Sequence, residues 1–97
     1  SVVLDASWTA APHRAAAAEI AWRTNSELVQ LRCRAEAQTA ARRIAGRAPG
    51  ASDATAAVAT LMARTADPWA DATTIDTTGP VGASAERAAA VWRDAAV

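Results

Sequence analysis

An α/β fold built on a parallel sheet is what this 97-residue sequence predicts, and three observations carry the prediction. Short apolar or alternating runs recur at residues 2–4 (VVL), 28–33 (LVQLRC) and 72–76 (ATTID). Ala-rich stretches lie between them, with larger apolar residues returning at helical spacing. Pro, Gly and Asp mark each change of period. Strands that alternate with helices favour a parallel sheet with right-handed crossovers and helices on both faces, a three-layer arrangement.

The opening run, Val2, Val3 and Leu4, reads as a strand covered on both faces, with Asp5 where it emerges. Pro12 stands where a first helical turn accepts it, and the helix continues from Ala15 to Arg23 with Ile20 and Trp22. Residues 28–33 alternate as a second strand. The segment AEAQTAARRIAGR then places Ala37, Ala40, Ala41, Ile44 and Ala48 at helical spacing. Pro49 and Gly50 break the chain, Ser52 caps a helix bearing Val58, Leu61 and Met62, and Asp67-Pro68 stops it. A short strand ending near Asp76 meets a Gly79-Pro80 turn, and Ser84 caps a last helix with Val91 and Trp92. Three strands are too few for a complete sheet, so the others are expected before Ser1 or from a second copy of the chain.

Composition narrows the function classes. Ten Arg balance ten acidic residues and Lys is absent, which gives no basic field for nucleic acid or anionic lipid. Hydrophobic residues make up 52%, but Ala dominates them and aromatics are only 4%, so large core side chains are scarce. Met62 and the four Trp read as packing residues. The single Cys33 offers neither a disulfide nor a zinc pattern, fits a cytoplasmic setting, and is expected to be a small buried hydrophobe. No apolar stretch reaches the roughly 20 residues of a membrane span.

Several residues have the chemistry of a ligand site. Asp5 follows a strand at the carboxyl edge of the expected sheet, where open α/β folds bind ligands. It reads either as a carboxylate for magnesium or a reacting hydroxyl, or as a strand-end cap. Arg43 and Arg47 share one helical face beside Arg42, just before the Pro-Gly break. They read either as phosphate-gripping guanidinium groups or as cations favoured by the helix C-terminus. Arg14, early in the first helix, faces a substrate anion or pairs with Glu19 or Asp5. Thr77, Thr78, Gly79 and Pro80 form a loop that borders a nucleoside or is simply a turn. His13 has no neighbouring ligand type and is read as a surface residue.

In this order, VVLDASW, RCRAEAQTAARRIAGR, SDA and TIDTTGP resemble the second half of a bacterial P-loop small-molecule kinase. The group is related to gluconate kinase and polynucleotide kinase and is often fused to aminoglycoside-phosphotransferase-like domains. The resemblance spans nearly the whole chain. It implies a Walker B-like strand over residues 1–6, a lid region over about residues 40–66, and a last strand and helix over residues 72–97. It further implies that Asp5 serves magnesium or the acceptor hydroxyl and that Arg43 and Arg47 steady the triphosphate of ATP. Thr77, Thr78, Gly79 and Pro80 would border the base, with Arg14 in an open role.

The sequence departs from that group in having no Lys and no G-x-x-x-x-G-K-[ST] loop, the backbone cradle and cation that hold phosphates. The expectation is therefore a partial P-loop kinase fold, one piece of a single domain, whose N-terminal Walker A half is missing. The intact parent would use ATP and Mg2+ to phosphorylate a hydroxyl of a small molecule in the cytoplasm. The fragment alone would be inactive, would take no cofactor, and would pair with the missing half or with itself. The alternative is a non-enzymatic, self-associating or partner-binding α/β module.

Overall fold

The computed structural model describes residues 1–46 and 56–95. In chain order the elements are α1 (Ala11–Arg23), β1 (Leu31–Arg34), α2 (Ala37–Ala45), α3 (Ala56–Thr65), β2 (Thr73–Asp76) and α4 (Val81–Ala95). The two strands pair in parallel, with Leu31 opposite Thr73, Cys33 opposite Ile75 and Arg34 opposite Asp76. The chain is thus α/β, with α2 and α3 in the connection that a parallel pair requires. The main helix contacts are α4 on β2 and α2 on α3.

Ile75 is the single buried large hydrophobe among the described residues, at 1% exposure. The chain buries no other large apolar side chain among the described residues. Its elements therefore hold together less by a shared apolar core than by specific polar ties.

The chief tie is Arg14, 9% exposed on the first turns of α1. Its Nε donates to the Trp8 carbonyl (2.6 Å), Nη1 to Pro68 O (2.8 Å), and Nη2 to Asp67 O (3.0 Å) and Thr9 O (3.3 Å). The guanidinium also lies 4.5 Å from the centre of the Trp69 ring, whose Nε1 donates to Gln30 Oε1. A largely buried cation that serves four carbonyls and an indole face regains much of the hydration energy it loses. Hydrogen bonds to a charged donor contribute about 1.5–3 kcal/mol each, and the ring adds about 0.5–2 kcal/mol. Asp67 completes the tie by capping α1 from outside: its Oδ2 accepts the Ala11 N–H, because Ala10 at the N-cap has no side-chain acceptor.

Several expectations are corrected. Residues 1–5 form no strand, and Val2, Val3 and Leu4 are 83%, 89% and 60% exposed. An apolar run becomes a parallel strand only beside a hydrogen-bonding neighbour, and here the backbone instead turns at Trp8 (φ 51°), whose indole N–H reaches Leu4 O. A bulky residue in the left-handed region costs on the order of 1–3 kcal/mol, which the Arg14 bond to the same residue's carbonyl offsets. β1 starts at Leu31 rather than Leu28 because its length is set by four-residue β2. Cys33 is exposed; the main helix packing on the sheet is α4 on β2. Trp22 and Trp92 are on the surface rather than in a core. Helix α4 starts at Val81, directly after Pro80, so Ser84 lies inside it. The Ser52 cap lies outside the described residues.

With so small a core, Ile75→Ala is expected to cost about 2–5 kcal/mol. Urea unfolding monitored by circular dichroism should show the Ile75→Ala variant with its midpoint moved far toward zero urea, whereas Leu61→Ala at a 60% exposed position should leave the midpoint nearly unchanged.

Candidate site at the carboxyl ends of the strands

The carboxyl ends of β1 and β2 gather three expected site elements. Arg43, from the last turn of α2, sends Nη2 to the carbonyls of Thr78 (3.1 Å) and Gly79 (3.5 Å). Thr78 Oγ1 accepts the Glu36 N–H just before α2, which pins the β2–α4 loop a second time. An open groove of about 270 Å³ results, lined by Arg43, Thr77, Gly79, Val81 and Ser84. Space is open above Gly79, where an added Cβ would meet nothing within 4 Å. Val81 contributes an apolar surface that is 83% exposed. The groove thus combines a cation, loop backbone and an apolar contact, the mixture that small-ligand sites use.

The loop is shaped by Asp76 at the end of β2. Its Oδ1 accepts the Thr78 N–H (2.9 Å), a turn in which a side chain replaces a backbone acceptor. Ser84 Oγ donates to the Asp76 carbonyl (3.1 Å) and fastens α4 to the strand end. The Thr78 backbone N–H, the largest cause, and the Thr78 hydroxyl, with the cations of Arg34 across the ladder and Arg87 on α4, hold the Asp76 carboxyl below its ordinary 3.8. Asp76 and Arg34 carry charge at this edge although sequence reasoning assigned them nothing there. The signal was present in Asp76 two residues before Thr78, the spacing of an Asx turn.

Other candidates lie apart. Asp5 is exposed on the N-terminal segment, and no bond among the described residues links it to the groove. Arg14 bonds four carbonyls and, among the described residues, pairs with neither Glu19 nor Asp5, while Glu19 pairs with Arg23 at 3.6 Å. Arg47 and the SDA segment lie outside the described residues. Pro80 directly precedes α4. Among the described residues no group of three or more His, Cys, Asp or Glu is placed to hold a metal, and no helix is long and apolar enough to cross a membrane.

No family model matches the chain, and no solved structure matches it. Uncharacterized proteins of Mycobacterium bovis and of two Mycobacterium tuberculosis strains are 41% identical to it over 95 residues. The match covers 98% of this chain and 19% of each relative. The chain therefore spans about a fifth of the length of the curated relatives it matches.

Asp76 gives the site a pH signature. Because its folded pKa lies below 3.8, the carboxylate stabilises the fold above that ordinary value, and the contribution is lost as pH falls through the folded value. The stability difference between the chain and Asp76→Asn, from urea titrations at stepped pH, is expected to be constant near neutrality and to shrink below pH 3.8. A difference that grows on acidification would contradict this.

Proposed function

We propose that this chain is the C-terminal part of an ATP-dependent P-loop kinase domain that phosphorylates a hydroxyl of a small molecule in the cytoplasm, and that it transfers nothing alone. The observation that carries the reading is the meeting of Arg43 with Thr78 and Gly79 beyond the carboxyl ends of two parallel strands. Ligands of open α/β sheets bind at that edge, and the resemblance independently gives this arginine and this loop to one nucleotide. In the intact protein Thr77, Thr78, Gly79 and Pro80 border the base, and Arg43 with Arg47 serves the phosphates.

Asp5 is the carboxylate for magnesium or for the acceptor hydroxyl. A lone carboxylate suits a magnesium ion that keeps several waters and takes its other ligands from phosphates, and it does not suit a protein cage. The uncovered Val2, Val3 and Leu4 fit a strand whose neighbour belongs to the P-loop half. The relatives, five times longer than the matched segment, have room for that half and for an aminoglycoside-phosphotransferase-like domain. The second reading, a self-associating or partner-binding module, is favoured by the same exposed apolar residues together with Trp22 and Trp92.

Magnesium-dependent ATP turnover separates the two. The M. tuberculosis relative is expected to consume ATP and the 97-residue chain to consume none. In that relative with its matching segment replaced by this chain, Asp5→Asn is expected to lower kcat about 100-fold or more. A full-length relative that neither binds nor consumes ATP would overturn the kinase reading, and concentration-dependent sedimentation of the chain would then support the second.

A further inference from the structure

Two helix ends that are far apart in sequence meet at Arg14 without slack. Helix α3 ends at Thr65, Ala66 N–H still bonds Met62 O, and the next residue, Asp67, donates its N–H to Thr9 O (2.8 Å). On the other side, α1 begins at Ala11, two residues after Thr9, with its first N–H on the Asp67 carboxylate. Arg14 then holds carbonyls from both segments: Trp8 and Thr9 on one, Asp67 and Pro68 on the other. Proline at position 68 fixes its own φ and stiffens the exit. The strained residue of this region, Trp8, is bonded directly to the same guanidinium and lies three residues beyond Asp5.

We propose that Arg14 is a positioning residue that couples α3 to the N-terminal turn carrying Asp5, so that the end of α3 and the start of α1 open and move as one unit. A displacement of α3 must shift Asp67, hence Thr9, hence the turn at Trp8, because no free residue separates these steps. Arg14 makes the transmission rigid: a Lys there keeps the charge but presents no planar fork that serves two segments at once. The coupling goes beyond the phosphotransferase reading and does not depend on it, since it concerns only how two parts of this chain move.

Amide hydrogen exchange followed by NMR on the 97-residue chain tests it. In the unaltered chain the Asp67 and Ala11 amides are expected to share one protection factor and one urea dependence, while Thr77, bonded to Arg34 O at the far end of the ladder, reports the strand pair separately. Arg14→Lys is expected to speed Asp67 and Ala11 by one common factor, about tenfold or more, with Thr77 unchanged. Arg64→Gly, which loosens the last turn of α3 without touching the clasp, is expected to speed Ala11 about threefold or more when Arg14 is present and to have no effect on Ala11 in Arg14→Lys. That dependence separates coupling from a simple structural role.

Protection of Asp67 and Ala11 that differs tenfold or responds separately to urea would overturn the proposal. So would an Ala11 rate indifferent to Arg64→Gly. If Arg14→Lys unfolds the chain, Thr77 exchanges with everything else, and the urea series and Arg64→Gly in the unaltered chain decide.

Discussion

One guanidinium carries much of this fold. With Ile75 as the only large apolar side chain fully removed from water among the described residues, hydrophobic burial cannot fix the relative placement of α1, the 67–69 segment and the entry to β1. Arg14 does so by bonding four carbonyls and covering Trp69, which in turn reaches Gln30. Arginine suits this because it stays charged and spreads its donors over a rigid plane. The arrangement also explains how a Trp is held at φ 51° beside it.

The same scarcity of core shapes the site. The groove at the strand ends is built from hydrogen bonds rather than packing: Asp76 and Ser84 set the loop, Glu36 and Arg43 fasten α2 to it. The Asp76 and Ser84 ties are local, spanning 2 and 8 residues, and the Glu36 and Arg43 ties span 42 and 35, so the site depends on the parallel register that brings Arg34 opposite Asp76. Exposed apolar residues on the N-terminal segment and on α1, α3 and α4 leave much apolar surface of the described residues uncovered.

The alternation of strand and helix was legible because turn residues and Ala-rich helical spacing are local signals, and the helices and the two paired strands appear where those signals are clearest. The strand expected at residues 2–4 was not legible as absent, because apolar composition reports what a strand buries and says nothing of which backbone pairs with it. Ser84 misled for a related reason: a Ser ahead of an apolar stretch has the look of a cap, but the Pro80 turn had already started the helix, and the hydroxyl serves Asp76 instead. The resemblance assigns Arg43 to the triphosphate and the loop over residues 77–80 to the base; the direct bonds from Arg43 to the Thr78 and Gly79 carbonyls were not legible in the sequence. Arg14 was the hardest case. Two of its four carbonyl partners lie 53 and 54 residues away, and the carbonyls it serves leave no trace in side-chain identity.

The central claim, that Arg14 is locked between two backbone segments and an indole face, is tested most directly by its own NMR signals. The account predicts a slowly exchanging Nε–H, Arg14 side-chain protons shifted upfield by the Trp69 ring current, and NOEs from them to Trp69 and Pro68. Arg14 resonances at free-chain positions, with rapid Nε–H exchange and no NOE to either residue, would contradict it.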